Sequence, residues 1–133
     1  KVVTEFRPDA VINATGIVKQ RAEAKDALPS IEINSLFPHR MAALCADSGA
    51  RFVHMSTDCV FSGSRGDYQE SDPPDAQDLY GRSKLLGEVA AAPAITLRTS
   101  IIGRELYRRT GLLEWLLAQR GRTIKGYRRA IFS

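Results

Sequence analysis

The sequence predicts an α/β domain built on a parallel sheet. Short, nearly continuous apolar runs at residues 10–14, 51–57 and 94–99 alternate with stretches whose apolar residues recur every three or four positions. Strands of this kind are buried on both faces, and the alternating order places helices against a parallel sheet. Ligands of such sheets bind beyond the carboxyl ends of the strands, which directs attention to the residues that follow each run.

The first helix is expected over residues 31–48. Its apolar positions recur at close to 3.6 residues and comprise Ile33, Leu36, Phe37, Met41, Leu44 and Cys45. Pro38 either bends this helix or marks the first turn of its stronger half. Gly49 suits the residue that ends a helix in a left-handed conformation.

A long loop and two further helices follow in the sequence. Residues 58–75 are rich in turn-forming residues, and long loops beside strand ends are often functional. The second helix is expected over residues 77–92, ended by Pro93, with an apolar set of Leu79, Leu85, Leu86 and Val89. The third is expected over residues 111–119, and residues 123–132 are expected to hold one more strand.

Composition excludes several classes of protein. The 133 residues, 44% hydrophobic and 26% charged, fit one globular domain. No apolar run is long enough to span a membrane. Cys45 and Cys59 lie in different elements without a metal-type spacing, which favours buried, reduced thiols in a cytoplasmic protein.

The net charge of +4 is concentrated near the C-terminus, where residues 104–133 carry 8 Lys/Arg and 2 Asp/Glu. Such a stretch suits nucleic acid, an acidic membrane surface or a diphosphate ligand, or it is simply a solvated face. The stretch has no aromatic interleaving of the single-strand-binding type, so we expect no nucleic-acid partner. The diphosphate candidates are Lys125, Arg128 and Arg129.

Tyr80 and Lys84 form the sharpest chemical signal. Four residues apart on a helix, they share a face. An ammonium about 4 Å from the phenolic oxygen would favour phenolate by roughly 4 kcal/mol, enough to lower the tyrosine pKa towards neutrality. The spacing alone is more often a solvated helix flank, so its context matters. That context is a strand ending in a hydroxyl, Thr57, which could bond a substrate carbonyl; the alternative there is a simple strand-to-loop turn.

Four segments in family order, residues 7–14, 56–63, 80–88 and 97–100, resemble the extended short-chain dehydrogenase/reductase family. Within it they resemble the dTDP-4-dehydrorhamnose reductase-like branch, which reduces sugars linked to nucleotides. The resemblance implies a Rossmann-like sheet, NAD or NADP as hydride donor, and a nucleotide-diphosphate sugar as substrate.

The resemblance also implies roles for individual residues. Thr57 would bond the keto oxygen, with Asp58 beside it at the substrate; Tyr80 would deliver the proton. Lys84 would hold the nicotinamide ribose, with Asn34 supporting it through water or serving only as a polar helix position. Tyr80 would also contact the cofactor, and the remaining residues along it would be Asn13, Ala14, Thr15, Gly16, Thr99, Ser100 and the backbone of Ile101.

Alternatives remain within this family. Dehydratases carry a Glu where this chain has Cys59, which argues against dehydration. An NAD(P)-dependent epimerase and a non-catalytic cofactor-binding regulator both stay open. The cofactor-binding glycine turn of the family is absent, so we expect it to precede Lys1.

We therefore expect residues 1–133 to form a single, partial NAD(P)-binding domain, with residues 104–133 beginning the substrate-binding part. Alone, this chain should be inactive. Loss of the first three strands would bare an edge of the strand at residues 10–14 and invite pairing with another copy, so homo-oligomers are compatible with the sequence.

Overall fold

A computed structural model describes residues 2–19, 22–107 and 110–126 of the chain. The chain divides into two compact units, Lys1–Thr99 and Ser100–Ser133. The first contains the sheet and most of the helices. In the second, the described residues include one short helix.

The first unit begins with α1 (Val2–Phe6), a helix that the sequence pattern did not predict. Its other elements follow in chain order. These are β1 (Ala10–Asn13), a 3₁₀ turn (Ala22–Lys25), α2 (Ala27–Ser30), a π-helical segment (Ile31–Leu36), α3 (Phe37–Ser48), β2 (Arg51–Thr57), a second 3₁₀ turn (Asp58–Val60), α4 (Leu79–Leu86) and β3 (Ala94–Thr99). The second unit contains α5 (Leu112–Ala118).

The three strands form one parallel sheet in the order β1-β2-β3. Asn13 pairs with His54 at the end of β1, and Thr57 pairs with Thr99 at the end of β2. The predicted α/β class with a parallel sheet and flanking helices is confirmed, and all three strands lie where the apolar runs placed them.

The hydrophobic core lies on one face of this sheet. Phe52 at its centre packs with Cys45, Ala50 and Val89, and Val11 of β1 closes the same cluster. Burial of such side chains contributes about 2 kcal/mol each.

The opposite face of the sheet is open, because alternate strand residues point away from the core. Ile12 is 69% exposed and Ile95 is 53% exposed, and both stand in register beside Val53. The expectation that helices cover both faces is therefore wrong for the residues that the structure describes.

The predicted helix over residues 31–48 exists, but in two parts. The first part is π-helical and the second is α3, in whose first turn Pro38 lies. Proline lacks the N–H that would bond to the preceding turn, and the π-helical segment directly before α3 is where the regular α-helical bonding is interrupted. Gly49 ends α3 with φ 74°, as predicted.

The apolar face predicted for this helix is only partly buried. Leu36 and Leu44 are exposed, whereas Asn34 and Ser35 are buried. The reason is a polar seam with α4: the Asn34 carboxamide donates to the Ser83 hydroxyl at 3.1 Å, and the Ser35 hydroxyl donates to the Ser83 carbonyl at 2.8 Å. Small polar side chains bring the two helices close and satisfy each other, which periodicity alone does not reveal.

The second predicted helix is shorter than expected. It ends at Leu86 rather than residue 92, with Gly87 as its C-cap. The third is α5, close to its predicted limits. Residues 123–126 form no strand; the rest of the predicted last strand, with Arg128 and Arg129, lies outside the described residues.

Both cysteines are free thiols. Cys45 is buried in the core, but Cys59 is only half-buried, which corrects the expectation of two buried thiols. In the part of the chain that the structure describes, no helix is both long and apolar enough to cross a membrane.

Candidate active site

The carboxyl ends of β2 and β3 bring two threonine hydroxyls to one edge of the sheet. Thr57 and Thr99 are register partners at these ends. The Thr57 hydroxyl donates to Asp58 at 3.2 Å and accepts from the Cys59 N–H at 3.2 Å. The Thr99 hydroxyl is buried and has no hydrogen-bond partner within the described residues, so a donor or acceptor is left there for a ligand.

Helix α4 reaches this edge because of a glycine and a cap. A Cβ on Gly81 would collide with the Cys59 carbonyl oxygen, so only glycine allows α4 to approach so closely. Asp78 is the N-cap and accepts from the Gly81 N–H at 2.7 Å. This approach brings the Tyr80 side chain close enough to the Thr57 hydroxyl to affect the Tyr80 pKa.

Tyr80 has a raised pKa in this structure. Burial is the largest cause; the hydrogen bond with Thr57 and the ammonium of Lys19 act in the opposite direction. The predicted fall of this pKa next to Lys84 is therefore wrong for the chain without ligand. Burial disfavours the phenolate more strongly than the neighbouring groups favour it, and a raised pKa keeps the proton that a general acid must donate.

Lys84 lies on the inner side of α4 and is only 4% exposed. Its Nζ donates to the Met55 carbonyl of β2 at 2.6 Å. Burial lowers its pKa, and the Glu88 carboxylate partly opposes this. The ammonium is thus held against the sheet. The alternative interpretation of the Tyr–Lys spacing, a solvated flank of the helix, does not hold for Lys84.

The turn after β1 lies next to Lys84. A Cβ built on Gly16 would be 3.9 Å from the lysine Nζ and 3.4 Å from the Asn34 Oδ1. The Thr15 N–H donates to the Asn13 side chain at 3.1 Å, which fixes the start of the turn. Of the predicted cofactor residues, Asn13 is buried, Gly16 is half-buried, and Ala14 and Thr15 are exposed.

Asn34 attaches this turn to α4. Its Oδ1 accepts from the Ile17 N–H at 2.8 Å, and its Nδ2 donates to the Ile17 carbonyl at 3.0 Å as well as to Ser83. The carboxamide therefore holds the turn and the helix together, and its support of Lys84 through water stays a prediction.

Three groups near the site were missed by sequence reasoning. Lys19 lies 6.0 Å from the centre of the Tyr80 ring and pairs with Asp78 at 2.6 Å. His54 is fully buried beside the end of β1. Glu88 and Arg98 form a forked ion pair. Of these residues, Glu88 could have been indicated by the sequence, because it lies four residues after Lys84 at helical spacing.

His54 is held as a neutral ring. Its Nδ1 accepts from the Asn13 carboxamide at 3.1 Å, which leaves the proton on Nε2, a buried atom with no partner among the described residues. Burial and the nearby Lys84 ammonium lower its pKa to about 4.

The other predicted site residues are Asp58 and residues of the second unit. Asp58 is exposed, although it contacts Thr57. Ser100 and Lys125 belong to the second unit. Their predicted roles, and that of Ile101, remain predictions.

A parallel sheet with helices packed against it, and polar side chains at the carboxyl ends of its strands, is a Rossmann-like arrangement. Residues 1–112 match the family described as the RmlD substrate binding domain. The chain belongs to that family, and the family predicted from the sequence motifs is confirmed.

Characterised relatives are longer than this chain. A dTDP-4-dehydrorhamnose reductase from Burkholderia thailandensis is 33% identical over 127 residues, which cover 92% of this chain and 38% of that protein. This chain thus spans little more than a third of that relative's length.

Solved structures of longer proteins also resemble this chain over part of their length. A hypothetical dTDP-4-dehydrorhamnose reductase from Sulfolobus tokodaii superposes with a TM-score of 0.68 at 31% identity, over 73% of this chain and 36% of that one. The dTDP-4-dehydrorhamnose reductase of Bacillus anthracis, solved in complex with NADP, superposes with a TM-score of 0.60 at 33% identity, over 65% and 31%.

Proposed function

We propose that this chain carries the catalytic edge of an NAD(P)-dependent reductase, which reduces the 4-keto group of a deoxysugar linked to a nucleotide diphosphate. The proposal rests on one observation. Tyr80 lies close to Thr57 at the end of β2, and Lys84 is buried against the same strand. The names of the relatives supply the substrate class, as reductases of dTDP-4-dehydrorhamnose.

The roles follow from the geometry. The Thr57 hydroxyl, at the strand end, donates to the substrate's keto oxygen in place of Asp58. Tyr80 donates its proton to the same oxygen as negative charge develops there. The raised pKa of Tyr80 keeps it protonated before the reaction, as a general acid requires.

The residues at this edge fit a nicotinamide cofactor. The Thr99 hydroxyl has no partner among the described residues, and the Lys84 ammonium lies beside Gly16, so both are available to hydrogen-bond a ligand. In the proposal Lys84 holds the ribose, and residues 13–16 and 99–100 line the cofactor. When bound, NADH or NADPH would supply the hydride for the ketone carbon. We further propose that residues 104–133 begin the substrate-binding part.

The test measures cofactor binding first and turnover second, in this chain and in any longer protein that contains it. Nicotinamide fluorescence is followed during titration with NADH and NADPH. A dTDP-4-keto-6-deoxysugar is then added, and loss of absorbance at the nicotinamide band is compared with sugar product.

Tyr80→Phe should lower kcat by about 10²- to 10⁴-fold, the usual contribution of a general acid. Cofactor affinity should change little. Arg82→Gln, at an exposed position two residues further along the same helix, is the control and should keep kcat close to that of the unchanged protein. Equal turnover by Tyr80→Phe and the unchanged protein would refute the proposed role of Tyr80.

The same assay separates the alternatives. A reductase consumes one nicotinamide per product; an epimerase interconverts two sugar nucleotides with no net consumption. A regulatory protein binds the cofactor and turns over nothing.

A further inference from the structure

A forked ion pair lies directly behind the candidate site. The Arg98 Nε donates to one Glu88 oxygen at 2.9 Å and its Nη2 donates to the other at 2.8 Å. The Ser56 hydroxyl donates to the same carboxylate at 2.8 Å. Both charged side chains are mostly removed from solvent, so this planar pair is stronger and more directional than a surface pair.

Each member of this cluster is next to an element of the site. Ser56 precedes Thr57 on β2, and Arg98 precedes Thr99 on β3. Glu88 follows α4, two residues beyond its end at Leu86. The cluster thus ties together the two strand ends and the helix that carries Tyr80 and Lys84.

Arg98 also contacts the loop formed by residues 61–75. Its guanidinium lies 5.2 Å from the centre of the Phe61 ring, and its Nη1 donates to the Glu70 carbonyl at 3.4 Å. Phe61 in turn stacks on Tyr68 with centroids 4.6 Å apart. The ring contacts therefore connect the buried ion pair to the middle of the loop.

The loop has an ordered interior of its own. Asp75 accepts from the Ser62 N–H at 2.6 Å and from the Ser62 hydroxyl at 2.7 Å, which closes the loop at its base. The Asp75 and Ala76 N–H groups both donate to the Val60 carbonyl. The loop leaves after Val60, three residues beyond Thr57, and returns at Asp75, five residues before Tyr80, so both of its ends are connected to elements of the site.

We propose that Arg98, fixed by Glu88, is a positioning residue that holds loop 61–75 as a preformed wall of the sugar-nucleotide pocket. The loop is anchored before ligand arrives, so binding does not have to order it. The part of this inference that concerns the substrate rests on the proposed function; the anchoring of the loop does not.

Two variants test whether Arg98 holds loop 61–75. Hydrogen exchange measures how firmly the loop is held and requires no enzyme activity. Arg98→Gln removes the charge, the fork and the ring contact; Glu88→Gln leaves Arg98 in place but without its carboxylate. Exchange of peptides covering residues 61–76 should accelerate about tenfold or more in both variants, since their amides bond within the loop. Arg51→Gln, an exposed arginine at the opposite end of β2, is the control and should leave this exchange unchanged.

Kinetics test the pocket wall. In both variants KM for the sugar nucleotide should rise about tenfold while kcat stays within about threefold, the mark of lost binding rather than lost chemistry. Thermal unfolding is measured as well, to check that each variant is folded.

Unchanged exchange in both folded variants would overturn the anchor. Faster exchange with an unchanged KM would overturn the loop's part in binding. If neither this chain nor a longer protein that contains it reduces a sugar nucleotide, the proposed function fails by itself, and the exchange rates still decide whether Arg98 holds the loop.

Discussion

His54 is the residue whose chemistry is most altered by folding. Its pKa falls from 6.5 to about 4, because burial and Lys84 disfavour the imidazolium. Between these values the unfolded chain binds a proton that the folded chain does not. Stability is therefore full above pH 6.5 and is lost as the pH falls towards 4, by up to about 3 kcal/mol.

The measurement is urea unfolding at pH 7, 6 and 5. His54→Leu should flatten this dependence, even though the variant loses the bond to Asn13 and is less stable at pH 7. His39→Gln, which removes the exposed histidine, should keep the slope of the unchanged protein. A His54→Leu slope equal to that of the unchanged protein would assign the effect to other groups.

Lys84 is the residue at which function and stability should separate. Its buried ammonium has one strong bond, to the Met55 carbonyl, and its pKa is lowered by desolvation. Lys84→Met keeps the length of the side chain and removes a buried charge whose desolvation opposes folding. We expect no fall in melting temperature but at least a tenfold loss of affinity for NADH or NADPH.

Calorimetry and cofactor titration on the same preparation check this expectation. Arg82→Met, at an exposed position of the same helix, is the matched control and should affect neither quantity strongly. A large loss of stability in Lys84→Met would mean that Lys84 stabilises the folded structure, contrary to this expectation.

At the scale of the element, the end of α4 depends on a glycine. A Cβ on Gly87 would collide with the Asn34 carbonyl oxygen of the π-helical segment. Gly87→Ala must therefore push the two helices apart and disturb the seam through Ser83, at a cost of about 3 kcal/mol or more.

Chemical unfolding followed by circular dichroism measures this cost. Gly103→Ala is the control, since a Cβ there would meet nothing within 4 Å. Equal stability of the two alanine variants would show that the helix end can shift freely.

The element scale is also where periodicity was least reliable. The seam between the π-helical segment and α4 is built from Asn34, Ser35 and Ser83, while Leu36, Leu44 and Leu86 remain exposed. An apolar period predicts which side of a helix faces a hydrophobic core, but it gives no weight to small polar residues that bond across a close interface.

At the scale of the whole molecule, the sheet has an open apolar face and an unpaired edge. Ile12 and Ile95 are exposed on that face, and β1 pairs only with β2 among the described strands. Exposed strand edges and apolar patches promote pairing with other chains. The expectation that this chain does not behave as a simple monomer stays a prediction.

Sedimentation velocity over a range of concentrations tests it. We expect the mean mass to rise with concentration, and Ile12→Lys, which places a charge on the edge strand, to reduce that rise. Leu86→Lys is the control, because Leu86 is 64% exposed but lies on α4 away from the sheet. A monomeric mass at all concentrations, with a sharp reversible melt, would contradict the prediction.

The sequence by itself determined the strands, their parallel order, the helix stop at Gly49 and the family. Each of these follows from local properties: apolar runs, a residue free to adopt positive φ, and contiguous motifs. The tertiary structure decided the electrostatics. The raised pKa of Tyr80, the neutral His54 and the Glu88–Arg98 pair arise from burial and from partners far apart in the chain, and no local pattern specifies how deeply a group is buried or which distant charge it faces.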